Sequence, residues 1–266
     1  MPDLYIIKLG GSVITNKDGN KFEVKENTLK RIASEIKKAS DEEKFSLVIV
    51  HGAGPFGHTN VKEFNLNNGI FSDKQKQGCK KTVKDCNFLD SKVVKALADQ
   101  GIEAVAFDPN KFVKQDQKNV VEFPTKEIED SLNQKKVPVL YGQMVPDKSL
   151  NYSVISGDTI IAFLAEKLGA KKVFLGTDVA GLYTTDPKKD KNAEQIPLIN
   201  KDNFENVLEK ASEARTVDVT GGMKGKLEKL RQTLKGTTAL IFNANETGSF
   251  YKALKGQEVK GTRVVL

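Results

Sequence analysis

The sequence predicts an α/β fold in which helices cover both faces of an open, mainly parallel β-sheet. The chain has 266 residues, of which 38% are hydrophobic and 29% charged, a balance typical of a globular protein. Short apolar runs recur along it without polar alternation, as expected for strands that are buried on both faces. Helical periodicity separates most of these runs, and such strand–helix alternation favours an α/β/α sandwich.

Seven apolar runs are predicted to be strands: 4–9, 45–50, 104–107, 137–141, 173–175, 238–242 and 263–266. Four segments between or beside them place apolar residues on one helical face: Leu29, Ile32, Ala33 and Ile36; Val83, Cys86, Leu89, Val93 and Leu97; Ile160, Ile161, Leu164 and Leu168; Met223, Leu227, Leu230 and Leu234. Segments 111–121 and 143–152 are predicted to be hairpins with turns near 116–118 and 147–149. The sequence contains no repeat and no flexible linker, so residues 1–266 are predicted to form one domain.

The charge pattern favours a small anionic ligand over a nucleic acid. Lys and Arg number 42 against 35 Asp and Glu, a net charge of +7. The excess is scattered and lacks the basic stripe with interleaved aromatic residues that is typical of nucleic-acid binding. A site for phosphate groups fits this pattern, and a lysine-rich solvated surface is the plainer alternative.

Cysteine usage and hydropathy exclude several other classes. Cys79 and Cys86 lie seven residues apart on one predicted helix, without a second ligand cluster, so neither a zinc site nor a disulfide framework is predicted. No apolar run approaches the roughly 20 residues that span a bilayer. The N-terminal residues are typical of a strand rather than a signal peptide. We therefore expect a cytoplasmic protein with no membrane partner.

Two glycine-rich segments follow predicted strands, where ligands bind in open α/β sheets. The first reads Lys8-Leu-Gly-Gly-Ser12 with Lys17 beyond it, and the second reads His51-Gly-Ala-Gly-Pro-Phe-Gly-His58. Glycines there let backbone N–H groups approach a phosphate closely. Neither segment matches the usual P-loop or dinucleotide fingerprint, so each taken alone is equally consistent with an ordinary tight turn.

Three further segments carry compatible chemistry at the same predicted edge. They are Ser156-Gly-Asp158, Thr177-Asp-Val-Ala-Gly-Leu-Tyr183 and Asp218-Val-Thr-Gly-Gly-Met-Lys-Gly-Lys226. Ser156 also fits the simpler role of a helix N-cap. Five such loops at one sheet edge predict a site for phosphate groups far more strongly than any one of them.

These five motifs, in this order, resemble the amino acid kinase superfamily over nearly the whole chain. Within it, Gly10-Gly-Ser-Val-Ile-Thr15, Gly54-Pro-Phe-Gly-His58 and Val154-Ile-Ser-Gly-Asp158 are most similar to the isopentenyl phosphate kinase group. The histidine that closes the second glycine loop is the most discriminating feature. The resemblance implies the amino acid kinase fold, a homodimer, and an acceptor side in about 1–170 with a nucleotide side in about 171–266. It implies ATP as phosphoryl donor, Mg²⁺ carried by the nucleotide, and isopentenyl phosphate as acceptor.

The resemblance also implies residue roles. Lys8 and Lys226 contact nucleotide phosphates, Lys17 stabilises the transferred group, Asp158 holds both nucleotide lysines, and His58 donates to the acceptor phosphate. The expected ATP-binding residues are Lys8, Gly10, Gly11, Ser12, Gly54, Asp178, Tyr183, Gly222 and Lys226, and the expected acceptor-binding residues are Ala53, Gly54, His58 and Gly157. No metal-ligating side chain is expected, and His51, which ends an apolar strand, is predicted to be structural.

Substrate choice is expected to depend on the segment after His58. Six apolar residues there are predicted either to wall a pocket for a prenyl tail or to be ordinary core: Val61, Phe64, Ile70, Phe71, Val83 and Phe88. Three residues depart from the family pattern: Pro55, Gln143 and Ala180. The first could alter how the loop binds phosphate, and the other two leave undecided how the metal is hydrated or how the loops are braced. Two alternatives stay open as well: a kinase of this fold for fosfomycin or another phosphonate or phosphate, and a non-catalytic nucleotide- or anion-binding protein.

Overall fold

The computed structural model describes residues 2–18, 21–185, 190–213, 228, 231 and 237–266. Its strands are β1 (Leu4–Leu9), β2 (Thr15–Asp18), β3 (Lys21–Val24), β4 (Ser46–His51), β5 (Ala104–Ala106), β6 (Lys114–Asp116), β7 (Asn119–Glu122), β8 (Val137–Tyr141), β9 (Gln143–Asp147), β10 (Asn151–Ile155), β11 (Lys172–Thr177), β12 (Leu182–Tyr183), β13 (Gln195–Ile196), β14 (Leu198–Asn200), β15 (Thr238–Asn243) and β16 (Gly261–Val265). Its helices are α1 (Gly11–Ile14), α2 (Glu26–Glu42), α3 (Gly54–Glu63), α4 (Asp73–Ala98), α5 (Lys126–Asn133), α6 (Gly157–Leu168), α7 (Phe204–Glu213) and α8 (Ser249–Leu254).

A mainly parallel sheet of eight strands forms the centre of the fold, which confirms the predicted fold class. The strand order is β14-β16-β15-β11-β1-β4-β8-β5. Every apolar run that was predicted to be a strand lies in this sheet. β16 pairs antiparallel with β15 and is buried on alternate residues only. It pairs parallel with β14 on its other side, and unlike the central strands it is covered on one face only.

Helices cover both faces of the sheet because its strands are apolar on both sides. Ile7 and Leu9 of β1 pack in one cluster with α2, α4 and α8. Ile6 packs in the other cluster, with α5, α6 and α7. Fully burying an aliphatic side chain of this size contributes about 1.5–3 kcal/mol. Since side chains alternate along a strand, Lys8 shares the face of Ile6 and points towards α6.

The predicted helices are observed where the structure describes them. The predicted apolar face of α2 is buried throughout, and α4 begins with a capping box between Ser72 and Gln75. Cys79 and Cys86 both lie buried on α4. The predicted helical face from Met223 to Leu234 lies outside the described residues.

Both predicted hairpins are present, as β6–β7 and β9–β10, and they join in a second sheet of four strands. Asp147 lies at the junction and is only 3% exposed. Its carboxylate accepts hydrogen bonds from the backbone N–H groups of Gln117, Lys118, Ser149 and Leu150 and from the Ser153 hydroxyl. One buried carboxylate therefore organises both turns.

The hairpin β2–β3 was not predicted. It follows α1 directly and pairs Lys17 with Phe22. Its sequence, TNKD followed by KFEV, carries little apolar alternation, so sequence periodicity gave no signal for it. The two halves of the main sheet come from different parts of the chain: β1, β4, β5 and β8 precede residue 142, and the strands from β11 onward follow residue 171.

Candidate active site

The carboxyl ends of β1, β4, β8 and β11 meet at one edge of the main sheet. Because these strands are parallel and in register, Leu9 lies beside both His51 and Gly176. The loops after β1, β4 and β11 carry three of the five predicted phosphate-type motifs. The fourth, at Ser156–Asp158, follows β10 of the second sheet and opens α6. The fifth lies outside the described residues. This edge is where open α/β sheets bind their ligands.

The two N-terminal glycine loops are in direct backbone contact. Gly52 N–H donates to the Leu9 carbonyl at 2.9 Å, and Gly10 N–H donates to the Gly176 carbonyl at 2.9 Å. A Cβ placed on Gly11 would lie 2.5 Å from the Gly54 nitrogen, closer than real Cβ atoms approach. Glycine is therefore required at position 11 by packing between the loops.

Both loops end in helix N-termini that lack a side-chain cap. The N-cap residues are Gly10 for α1 and Ala53 for α3, and neither helix has a capping side-chain hydrogen bond. The first N–H groups of a helix have no partner within it and attract anions. Pro55 lies in the first turn of α3, a position that proline tolerates because its missing N–H would be unpaired there in any case.

Lys8 and Asp158 form the central ion pair of this edge. The Lys8 ammonium donates to the Asp158 carboxylate, and their side chains are 14% and 23% exposed. Asp158 lies in the first turn of α6, whose N-cap Ser156 accepts from the Thr159 N–H at 3.1 Å. Ser156 therefore has the capping role that the sequence allowed. A Cβ on Gly157 would make only ordinary contacts, at 3.5 Å or more, so the described packing does not require glycine there.

The β2–β3 hairpin, to which Lys17 belongs, packs against α3, to which His58 belongs. The Phe22 ring, opposite Lys17 in the hairpin, packs edge-on against Phe56 of α3 with ring centroids 5.6 Å apart. His58 is exposed in the second turn of α3.

An open depression of about 530 Å³ lies between the hairpin and the start of α2, and its lining contains none of the predicted site residues.

The predicted nucleotide-side residues lie at the carboxyl end of β11. Asp178 and Tyr183 are both half-buried. The turn between them is fixed by the Thr177 hydroxyl, which donates to the Val179 carbonyl at 2.8 Å, and by Gln195, whose amide donates to the Ala180 carbonyl at 2.5 Å. Gly222 and Lys226 lie outside the described residues.

An apolar cluster lies beside α3 and the start of α4. Its members are Val61, Leu66, Ile70, Cys79 and Met144, with Phe64, Val83, Tyr152 and Val154 packed against them. Phe71 and Phe88, which the sequence grouped with these residues, lie outside the cluster and are 64% and 50% exposed. The sequence analysis missed the contributions of β9 and β10, because they come from strands some 80 residues away that no local pattern connects to α3.

A buried polar network underlies the same region. Gln143 is 2% exposed, donates to Asn87 Oδ1 at 2.8 Å and accepts from the Met144 N–H at 2.9 Å. The Tyr141 hydroxyl donates to the same Asn87 oxygen at 2.8 Å. Burial and then the nearby Asp108 and Asp90 raise the pKa of Tyr141 well above its usual value, so its hydroxyl stays protonated. Gln143, which departs from the family pattern, therefore connects β9 to α4 through hydrogen bonds.

Comparison with known proteins agrees with this fold. Residues 3–243 match the model of the amino acid kinase family. The chain belongs to the amino acid kinase family. Within it, the chain is similar over nearly its whole length to proteins named isopentenyl phosphate kinase. The relative from Methanothermobacter thermautotrophicus is 39% identical and the one from Methanocaldococcus jannaschii 34%, each covering 98% of both chains. A solved structure described as isopentenyl phosphate kinase matches with a TM-score of 0.84 and 36% identity, over 98% of this chain and 99% of its own.

Proposed function

We propose that this chain transfers the γ-phosphoryl group of ATP to isopentenyl phosphate, which yields isopentenyl diphosphate and ADP. The observation that carries this proposal is the similarity to isopentenyl phosphate kinases over 98% of the chain. The site agrees with it, because uncapped helix N-termini, a half-buried lysine–aspartate pair and an apolar cluster lie close to one sheet edge.

The chemistry of this reaction requires charge compensation rather than proton removal. The acceptor phosphate has a second pKa near 6 and is largely ionised at neutral pH. One of its oxygens attacks the γ-phosphorus of ATP, the bond from that phosphorus to the bridging oxygen breaks, and ADP leaves with the electron pair. The protein's task is to hold several negative groups in line and offset their repulsion.

Three lysines are assigned to this task. Lys8 and Lys226 contact the nucleotide phosphates, and Lys17 stabilises the phosphoryl group during transfer. Asp158 holds Lys8 in the orientation that the ion pair defines. The remaining nucleotide contacts are assigned to Gly10, Gly11, Ser12, Gly54, Asp178, Tyr183 and Gly222.

The acceptor is bound by its phosphate at the second glycine loop and by its tail at the apolar cluster. The backbone of Ala53, Gly54 and Gly157 and the ring of His58 hold the phosphate. Each CH₂ group of the tail that the cluster buries contributes about 0.8 kcal/mol. Discrimination among tail lengths is therefore modest unless a bulky side chain closes the cluster. Apolar walls favour a prenyl phosphate over the small polar fosfomycin.

Mg²⁺ is proposed to arrive with ATP. Among the described residues, no three His, Cys, Asp or Glu side chains come together as metal ligands. Mg²⁺ usually keeps several waters and binds substrate phosphates, so we assign its ligands to phosphate oxygens and water. When bound, Mg²⁺ neutralises charge on the β- and γ-phosphates. The protein residues then orient and hold the phosphates around it.

The arrangement of the chain is also a proposal. The sheet half built from β1, β4, β5 and β8 carries the acceptor, within about 1–170, and the half from β11 onward carries the nucleotide, within about 171–266. The resemblance further supports a homodimer, and the cytoplasm remains the location that we propose. Light scattering on the purified chain tests the dimer, and a monomer mass contradicts it. No helix in the described part of the chain is long and apolar enough to cross a membrane.

ADP release with Mg-ATP tests the function directly. We expect strong stimulation by isopentenyl phosphate, weaker stimulation by dimethylallyl phosphate or fosfomycin, and none without acceptor. Mass spectrometry of the diphosphate product separates transfer from simple ATP hydrolysis. Nucleotide binding without stimulation by any acceptor would favour a non-catalytic binding protein instead.

A further inference from the structure

His51 occupies an unusual position directly before the second glycine loop. It is the last residue of β4, and its side chain is fully buried. Ring Nε2 lies 3.2 Å from Asp90 Oδ1, and ring Nδ1 lies 3.3 Å from the Gly52 carbonyl oxygen. A carboxylate and a carbonyl both accept hydrogen bonds and donate none. A neutral ring carries one proton, so one of its nitrogens would direct a lone pair at an oxygen.

We propose that His51 is a positively charged positioning residue, an imidazolium that pairs with Asp90 through Nε2–H and holds the Gly52 carbonyl through Nδ1–H. The functional part of this inference rests on the proposed function, in which the loop after His51 binds the acceptor phosphate. His51 does not contact the reacting atoms in this scheme. It acts through the backbone of the loop.

The surroundings of the ring favour the charged form. Tyr141 stacks on the His51 ring with centroids 5.1 Å apart and planes inclined by 12°, and an aromatic face attracts a cation. Asp90 of α4 and Tyr141 of β8 contact the ring directly. Cys86 and Asp108 lie near Tyr141, whose pKa both of them raise. The Cys86 thiol and the Tyr141 hydroxyl are neutral, since burial raises the pKa of both, that of Cys86 to about 12. The charged neighbours are therefore carboxylates.

The hydrogen bond to the Gly52 carbonyl has a geometric consequence for the loop. In a planar trans peptide, the carbonyl of one residue and the N–H of the next point in opposite directions. Holding the Gly52 carbonyl towards the buried ring therefore directs the Ala53 N–H away from it. Ala53 is the N-cap of α3, so this N–H adds to the anion-binding groups at the start of that helix. The imidazolium also adds positive charge in a poorly solvated place.

Nitrogen NMR of the unaltered protein tests the charge on His51. The chain has two histidines, so ¹⁵N-histidine labelling gives two rings, and the variant His58→Gln assigns them. We expect both His51 nitrogens to carry protons, each with a coupling to its own N–H proton, as the two oxygen neighbours of the ring require. A ring with one unprotonated nitrogen at pH 7.5 would overturn the proposal. This measurement needs neither activity nor a variant of the buried pair.

Kinetics test the positioning role. Asp90→Asn keeps the shape and an acceptor for Nε2–H but removes the charge that retains the second proton. We expect KM for isopentenyl phosphate to rise about 10-fold, the loss of one charge-assisted hydrogen bond, with a much smaller change in KM for ATP. Asp99→Asn, at the end of α4 and exposed beside Lys95, is the matched control and should leave both constants unchanged.

The charge on His51 and its positioning role can be disproved separately. An unchanged KM for the acceptor in a folded Asp90→Asn protein overturns the positioning role. If Asp90→Asn does not fold, the NMR result on the unaltered chain decides the proposal. If the unaltered chain does not phosphorylate isopentenyl phosphate, the proposed function is wrong, and the protonation of His51 is still decided by NMR.

Discussion

Lys8 and Asp158 are 150 residues apart in the sequence, and their side chains form an ion pair at the carboxyl edge of the central sheet. One residue belongs to the strand at the centre of the sheet and the other to the first turn of the helix that covers it. The pair links strand and helix at the point where phosphates are proposed to bind. It also keeps an ammonium group in a fixed place without the mobility of a surface lysine.

Lys8→Met is expected to lower kcat by about 100-fold or more, because it removes a fixed cation from the nucleotide phosphates, whose charge changes during transfer. Asp158→Asn is expected to lower kcat less, because the lysine remains but loses its orientation. The measurement is steady-state ADP release at saturating ATP. Lys171→Met is the control: Lys171 pairs with Asp3 at the opposite edge of the sheet, and its loss should leave kcat unchanged. Equal activity of Lys8→Met and Lys171→Met would contradict the site.

Gly54→Ala is expected to destabilise the protein more than Gly169→Ala. Both glycines have positive φ, +53° and +64°, so both substitutions incur about 1–2 kcal/mol of backbone strain. At Gly54 the added Cβ would also lie 2.3 Å from Thr15 Oγ1, whereas at Gly169 nothing lies within 4 Å. Chemical denaturation of the two variants measures the difference in the free energy of unfolding. Equal losses would mean that Gly54 is needed only for its backbone angle.

Asp147→Asn is expected to destabilise the second sheet by about 1–3 kcal/mol, since an amide nitrogen would face backbone donors. Burial alone would raise the pKa of Asp147, but the hydrogen bonds from Ser153, Lys118, Leu150 and Gln117 lower it on balance. Because its pKa is lower in the folded protein, the Asp147 carboxylate stabilises the fold at pH values above its unfolded pKa, which is near 3.9. This contribution to stability is lost as the pH falls through the folded pKa.

Thermal unfolding between pH 7 and pH 2 tests this assignment. The unaltered protein should lose more stability below about pH 4 than Asp147→Asn does, because the variant lacks this titrating group. Asp130→Asn, an exposed partner of Lys126, should keep both the stability and the acid response of the unaltered chain. Parallel acid curves for Asp147→Asn and the unaltered protein would show that this carboxylate does not contribute.

The two cysteines are expected to resist alkylation in the folded protein. Burial raises the pKa of Cys79 to about 11 and that of Cys86 to about 12, and the thiolate is the reactive form. Iodoacetamide at pH 8 should modify neither within a time that modifies both in denaturant. Mass spectrometry counts the adducts, and rapid labelling of Cys79 under native conditions would contradict its burial.

The central sheet could be predicted from the sequence because its strands are unbroken apolar runs. The run 137–141 coincides with β8, and the run 4–9 coincides with β1. The hairpin that carries Lys17 could not be predicted, because its residues are polar and its pairing depends on packing against α3. Likewise, the run 263–266 predicted a strand but gave no sign that β16 would pair antiparallel.

The parts of the candidate site that lie in glycine-rich loops could be predicted from the sequence. The parts that depend on packing between distant elements could not. Gly11 and Gly54 were expected at a phosphate site, and the structure adds that they lie against each other. Met144 and Tyr152 join the apolar cluster from distant strands, which no spacing indicates. His51 was predicted to be structural, and its contact with Asp90, 39 residues away in the sequence, is visible only after β4 and α4 are packed together.

In the proposed reaction, the contact between the two glycine loops would fix how far apart the two reactants lie. No side chain separates Gly11 from Gly54, so the two segments that are proposed to bind phosphates share one continuous main-chain surface. A rotamer change cannot lengthen or shorten that surface. The reacting groups are then set at their separation when the chain folds, and little translational freedom remains to be lost when they bind. An added methyl group at this contact would displace one reactant relative to the other, a change felt in the rate of transfer more than in the affinity for either substrate.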